Sequence, residues 1–297
     1  MGLPCSVWDL IPQKGKMGFD QTLVKTKTDD LESTAIINQG NIFLDDYNQL
    51  SNIVLIEYIN QLIAAVHRYN GKANNQPERK GLFVGIQEAE FYQPAYLGDI
   101  LTLKGFVAEE VSQVTFFQGF IERDGDRIAQ LVTKIYEVKE AAEFDSLTNG
   151  GKIPQQRAAI QVNRNQPPVY LTSSMDRKLY TYLHDITIGV DNISFKIACP
   201  EDFDAFDGHF PKNPILPGIV LLEIAKLALE VLLKKPVAII YLKKMKISGV
   251  VLPNQVISGT VKIDRESGPT LSFSAVFEDG SGCDISRFSG TCDEGKR

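Results

Sequence analysis

Histidine is scarce in this chain of 297 residues: there are three, His67, His184 and His209, and none lies within four residues of another. A His-rich metal site is therefore not expected, and acid-base chemistry near neutral pH has few imidazoles to draw on. Cysteine is almost as rare. Cys5, Cys199, Cys283 and Cys292 fit neither a C-x-x-C metal or redox motif nor a dense disulfide framework, so they are expected as reduced thiols in a reducing compartment. No apolar run reaches membrane-spanning length, and the opening Met-Gly-Leu-Pro-Cys-Ser lacks a basic region followed by an apolar stretch. The expectation is a cytoplasmic protein without a membrane partner. Basic charge is in the minority too. With 31 Lys and Arg against 37 Asp and Glu, the formal net charge of -6 argues against a nucleic-acid partner that needs a broad basic face.

What is present is the composition of a globular protein, 43% hydrophobic and 23% charged, at a length that fits two domains. Each half carries one helix that is apolar on most of its circumference. From Gln49 to Tyr69 the apolar positions are Leu50, Ile53, Val54, Leu55, Ile56, Tyr58, Ile59, Leu62, Ile63 and Val66, and Ile219 to Leu233 is more apolar still. Strand-like sequence, Ser33 to Leu44 and Ile186 to Ala198, precedes each helix. Four strands follow each. In the first half they run over Leu82 to Tyr92, Ile100 to Glu110, Val114 to Glu122 and Ile128 to Val138; in the second over Val237 to Ile247, Val256 to Ile263, Leu271 to Phe277 and Asp284 to Ser289. This is a repeat. A helix apolar on every side needs cover on every side, which one antiparallel sheet curled around it supplies. The expected fold class is α+β, a double hot-dog: a first repeat over 1–140, a Gln/Asn-rich and proline-ended linker over 141–168, and a second repeat over 169–297.

The chemistry concentrates in Gly208-His209-Phe210-Pro211-Lys212-Asn213-Pro214-Ile215-Leu216-Pro217-Gly218, which runs into Ile219-Val220-Leu221-Leu222-Glu223. Pro214 and Pro217 stiffen the approach, and Gly218 opens the helix with an unobstructed backbone N–H at its positive end, suited to an oxygen that gains negative charge. His209, just before the helix, is placed to act as general base. Glu223, inside an apolar helix, is a carboxyl expected to hold its proton to unusually high pH. The first helix holds Glu57 in the same setting. Superposing the two glutamates sets an offset of 166 residues, which places Phe43 opposite His209 and Ser51-Asn52 opposite Pro217-Gly218. The first repeat thus keeps an acid and lacks both the histidine and the Pro-Gly turn.

The His-Phe-Pro turn, the later prolines, the glycine and the helical acid closely resemble the active-site segment of the 3-hydroxyacyl-[acyl carrier protein] dehydratases of fatty acid synthesis. The resemblance implies paired hot-dog units in which each site takes its histidine from one unit and its acid from the helix of the other. In fused forms, including the double hot-dog dehydratases of polyketide synthases, the acid belongs to an acid-x-x-x-Gln motif. Glu57-Tyr58-Ile59-Asn60-Gln61 fits that motif, whereas Glu223 is followed four residues later by Leu227. The resemblance therefore implies one working site, His209 with Glu57 and supporting residues Gly218 and Gln61, and a dead mirror site of Phe43 with Glu223. Glu223 is read as a satisfied core carboxylate, with the working acid as its alternative; the alternative for Glu57 is a helix residue turned to solvent. It implies no metal and no cofactor. Leu10-Ile11-Pro12-Gln13-Lys14 resembles, weakly, the segment that opens many bacterial hot-dog dehydratases, including those of aryl polyene pathways. Lys212 stands where the family usually has glycine.

His67, expected at a helix end beside Arg68, and His184, near a strand start, are read as structural. Lys243, Lys244 and Lys246, with Lys234 and Lys235 nearby, form the densest basic cluster, either a solvated face or the landing place of an acidic acyl carrier protein. The expected reaction is loss of water from a 3-hydroxyacyl thioester. The rivals are a hot-dog thioesterase and a non-catalytic acyl-binding subunit. Fused repeats already form a pseudo-dimer within the chain, so a monomer suffices, and a homo-oligomer stays open.

Overall fold

The structure, a computed structural model, describes residues 2–74, 80–138, 163, 165–211, 213–265 and 270–294. Lys212 and nearly all of the expected linker from 141 to 164 lie outside the described residues.

The first half holds β1 (Cys5–Ser6), β2 (Gln21–Lys27), β3 (Asp30–Ile36), β4 (Gln49–Leu50), α1 (Leu55–Ala73), β5 (Lys80–Phe91), β6 (Ala95–Tyr96), β7 (Ile100–Val111), β8 (Val114–Arg123) and β9 (Asp126–Val138). The second half holds α2 (Ser174–Tyr182), β10 (Leu183–Ile188), β11 (Asn192–Ile197), α3 (Gly218–Leu233), β12 (Val237–Ile247), β13 (Ile257–Asp264), β14 (Thr270–Glu278) and β15 (Asp284–Glu294). Thirteen of these strands form one sheet in the order β1-β2-β3-β7-β8-β9-β5-β12-β15-β14-β13-β11-β10. Read outward from the β5–β12 seam, the halves repeat each other: the long strand after the helix, then three antiparallel neighbours, then the two strands before the helix. The seam itself is antiparallel, with Leu242 opposite Ala89 and Met245 opposite Ile86.

Each curled half-sheet covers one helix. In α1 every residue from Leu55 to Ile63 is buried, and in α3 the same holds from Ile219 to Ala225, which is why both sequences are apolar almost all round. The fold is the α+β double hot-dog. Local chemistry sets the ends. The Ser173 hydroxyl accepts from the backbone N–H groups of Met175 (3.1 Å) and Asp176 (3.3 Å) to cap α2. Lys234 ends α3 at φ 57°, two residues before Pro236, which cannot continue a helix.

Three sequence expectations need correction. Of the strand expected over Ser33 to Leu44 only Ser33 to Ile36 is strand, the end of β3 in the β2–β3 hairpin, with loop from Ile37 on, and the strand expected over Ile186 to Ala198 is the end of β10 and the whole of β11, a hairpin closed where the Gly189 N–H meets the Asn192 carbonyl. The second half therefore sends two strands ahead of its long helix, and the first half sends β2 and β3 to the matching places in the sheet, with β1 and β4 besides. Gln49-Leu50 is a short strand rather than the start of the helix, and α1 continues to Ala73, so His67 sits inside α1 and not at its end. Pairing across the sheet outweighs the local pattern in these segments.

Candidate active site

His209 lies on the loop before α3, and the chain around it is fixed by backbone contacts. Gly208 has φ +84°, and a Cβ there would sit 1.9 Å from the carbonyl oxygen of Lys14, so only glycine fits. The Lys14 N–H donates to the Gly208 carbonyl at 3.1 Å, tying the amino-terminal segment to this turn. The His209 carbonyl accepts from the Ile215 N–H at 2.9 Å, and the Ile215 carbonyl lies 3.0 Å from His209 Nδ1. A carbonyl can only accept, so Nδ1 carries the ring proton and Nε2 keeps its lone pair. Burial pushes the His209 pKa down to about 4, and the backbone hydrogen bonds oppose that shift only in part. The imidazole is neutral at physiological pH with Nε2 as the basic atom, and the Phe210 ring stacks on it at 4.4 Å between centroids.

Glu57 lies in the first turn of α1 and is 4% exposed. Its Oε1 accepts from Gln61 Nε2 at 3.1 Å and from Gln13 Nε2 at 3.5 Å; its Oε2 accepts from Asn60 Nδ2 at 3.5 Å. Burial raises its pKa to about 7, against the pull of these three amides. Oε1 already has two donors, so the proton of the neutral acid falls to Oε2. Gln61 is itself clamped: its Nε2 also donates to the Met17 carbonyl at 2.7 Å and its Oε1 accepts from the Phe19 N–H at 3.1 Å. Asn60 is held by the Thr133 hydroxyl, which donates to Asn60 Oδ1 at 3.0 Å.

His209, Glu57, Gln13, Asn60 and Gly218 line one cavity of about 1300 Å³, with apolar walls that include Leu31, Ile63, Val66, Phe117 and Ile135. The histidine of the second half and the acid of the first thus line the same cavity. Gly218 is the first residue of α3, where the backbone N–H has no partner within the helix. A Cβ on Gly218 would lie 2.5 Å from Ile247 Cδ1 and 3.0 Å from Phe83 Cδ1, so the glycine leaves room at the mouth of the helix. Gln61 stands behind Glu57 and is not part of the cavity wall.

Glu223 is placed elsewhere. It is 1% exposed, does not line the large cavity, and accepts from Lys226 at 3.1 Å; Ser51 of the first half bonds to it as well. Lys226 also reaches Asp176 at 2.9 Å. Burial raises the pKa of Glu223 and the Lys226 ammonium pulls it back; burial likewise works against the charge of Lys226, but Asp176 and Glu223 outweigh it and hold its pKa high. Phe43, Ser51 and Asn52 line a second cavity of only about 60 Å³, beside Asp176, Lys226 and Glu230. The mirror of the His209 site is thus a small cavity beside the ion pair of Lys226 with Asp176. His67 is among the residues that line the large cavity, and His184 on β10 has Nδ1 3.2 Å from the Tyr182 carbonyl.

Three polar residues of the site carry no motif in the sequence: Gln13, Asn60 and Thr133. Asn60 was within reach, because at the offset of 166 it falls opposite Lys226 on the same helical face as the glutamates. Gln13 had only its place in the Leu-Ile-Pro-Gln-Lys segment, and Thr133 had no signal, since its partner is 73 residues away.

Two dehydratase family models match the chain in tandem: ApeP dehydratase over residues 5–146 and ApeI dehydratase over residues 186–286. No curated protein sequence matches it. Among solved structures, a Lactobacillus plantarum protein described as an oleoyl thioesterase superposes with a TM-score of 0.61 at 9% identity, covering 91% of this chain and 98% of its own. The dehydratase domain of the polyketide protein PpsC from Mycobacterium tuberculosis gives 0.55 at 10% identity, over 92% of this chain and 96% of its own. The dehydratase domain of RzxB from Pseudomonas fluorescens gives 0.52 at 15% identity, over 89% and 94%. At such identities these likenesses establish the fold that the strand order describes.

Proposed function

The chain belongs to the double hot-dog dehydratases, and from that premise we propose that it removes water from 3-hydroxyacyl thioesters to give trans-2-enoyl thioesters. Residues 169–297 supply the base and residues 1–140 the acid. His209 Nε2 takes the proton from C2, and the Gly218 N–H holds the thioester oxygen as charge builds there. Glu57, neutral, gives its proton to the 3-hydroxyl as the C3–O bond breaks, and water leaves. The histidine ends protonated and the glutamate ionised, and one proton moving between them through the released water restores the site. Gln61 positions Glu57. The reverse reaction, hydration, uses the same groups.

One observation carries this reading: a buried imidazole that is neutral with Nε2 open, and a buried carboxyl whose pKa is raised to about 7, line the same cavity from opposite halves of the chain. Two titrating groups pushed in opposite directions are what a base and an acid at one site require.

The thioester is carried by an acyl carrier protein in this proposal. Lys243, Lys244 and Lys246 are exposed on β12, and the charge of Lys244 reaches Lys134 on β9. With Lys134 they make a basic patch that spans both halves across the sheet. An acidic carrier would be steered there. The site of action is the cytoplasm, where such carriers are charged.

The experiment is incubation with 3-hydroxyacyl thioesters of several lengths, on carrier and on pantetheine, following enoyl absorbance and free thiol together. Enoyl formation without thiol supports dehydration. Thiol release without enoyl formation would replace it with a thioesterase, and binding without either product would leave a non-catalytic acyl-binding subunit.

A further inference from the structure

Gln13 is 8% exposed, lines the cavity beside Glu57 and His209, and turns its amide so that the NH2 end meets Glu57 Oε1 at 3.5 Å. Its other end is left over. Gln13 Oε1 is buried and accepts from no group among the described residues. A buried carbonyl without a donor is unfavourable unless something entering the site supplies one. The backbone here is held, because the N–H of the next residue, Lys14, donates to the Gly208 carbonyl at 3.1 Å, one residue from His209. Gln13 thus contacts the acid, next in the chain to the residue tied to the turn that carries the base, and its acceptor has no donor.

Resting on the dehydratase reading above, we propose that Gln13 Oε1 accepts the O–H of the substrate's 3-hydroxyl group and so selects 3-hydroxyacyl thioesters over acyl thioesters that lack it. The chemistry of the leaving group demands such a partner. The hydroxyl oxygen must present a lone pair to the proton of Glu57, and its own hydrogen must point somewhere else. If that hydrogen faced Glu57, donor would meet donor and no proton could pass. With the O–H directed at Gln13 Oε1, the lone pair faces Glu57, the proton transfers, C3–O breaks, and the departing water keeps its hydrogen bond to Gln13. Because one side chain touches both the acid and the hydroxyl, it fixes their relative orientation. A site built to bond a substrate hydroxyl discriminates strongly against the analogue without it, since the protein's own polar atom is then stranded.

The test is binding in the His209→Ala protein, in which the ligand is not consumed. Affinities are measured for a 3-hydroxyacyl thioester, the saturated acyl thioester and the 3-fluoroacyl thioester of equal length, with and without Gln13→Met. The proposal predicts that the hydroxyacyl ligand binds at least tenfold tighter than the other two. Gln13→Met, which keeps the volume and removes the acceptor, brings that ratio to within about twofold of unity. A ratio unchanged by Gln13→Met overturns the proposal, and so does equal binding of the hydroxy and fluoro ligands before any change at Gln13. The comparison of ligands on one protein does not depend on the variant folding well. Failure of the dehydratase reading registers separately, as a wild-type protein that prefers the hydroxyacyl ligand yet forms no enoyl product.

Discussion

Lys226 stands on α3 where Asn60 stands on α1, at the same offset of 166 residues that superposes Glu223 on Glu57. Asn60 gives its glutamate a neutral amide at 3.5 Å, and Lys226 gives Glu223 a full positive charge at 3.1 Å. That difference, with Gln61 beside Glu57 and Leu227 in its place beside Glu223, separates the two acids. Glu57 is surrounded by amides, faces a large cavity and holds a proton near neutral pH, whereas Glu223 is engaged by an ammonium and lines neither the large cavity nor the small one. Glu223→Gln should therefore leave kcat/KM within about threefold of wild type, while Glu57→Gln lowers it by a factor of about 100 or more. Steady-state rates on one 3-hydroxyacyl thioester decide it; equal losses in the two variants would contradict the assignment.

The ion pair matters for stability instead. Lys226→Met would leave Asp176 and Glu223 buried without their cation, and breaking a buried pair on one side typically destabilises by about 3–5 kcal/mol. Denaturant unfolding of Lys226→Met at neutral pH should show a loss of that size. A change within about 0.5 kcal/mol would mean that the neighbouring carboxyls simply take up protons.

The pH dependence of kcat/KM follows from the two titrations. The base works when His209 is neutral, so activity rises as pH passes about 4, and the acid works when Glu57 is protonated, so activity falls as pH passes about 7. The profile should be a bell with its plateau between those values. A fall at high pH that persists with unchanged midpoint in the residual activity of Glu57→Gln would assign the basic limb to another group.

Glu57 also costs the fold stability at high pH. Its pKa rises from an ordinary 4.5 to about 7 on folding, so below 4.5 it is neutral in both states, and as pH climbs through 7 the folded state must accept a buried charge. The penalty above pH 7 is about 3 kcal/mol. Glu57→Gln should be close to neutral for stability near pH 4 and stabilising by about that amount near pH 9, read from urea midpoints. A pH-independent effect would contradict the raised pKa.

Much of this was legible in the sequence, because two signals were physically simple. A helix apolar on all sides has few homes, and α1 and α3 announce the half-sheets that cover them. A glutamate within such a helix cannot be casual, which pointed to both Glu57 and Glu223. What escaped was decided by contacts far apart in sequence. The β2–β3 hairpin turns at Thr28-Asp29, without a glycine to mark it, and is held by β7; the six-residue strands β10 and β11 read as one because the turn at Gly189 to Asp191 is short. Gln13 reaches Glu57 across 44 residues and Thr133 reaches Asn60 across 73, so no local pattern could link them.

The roles of His209 and Glu57 separate most directly in deuterium oxide, by following label entering C2 of a saturated or 3-hydroxyacyl thioester alongside enoyl formation. The account predicts that wild type does both, that Glu57→Gln still exchanges the C2 proton but no longer expels the hydroxyl, and that His209→Ala does neither. Exchange that survives in His209→Ala, or elimination that survives in Glu57→Gln at the wild-type rate, would contradict it.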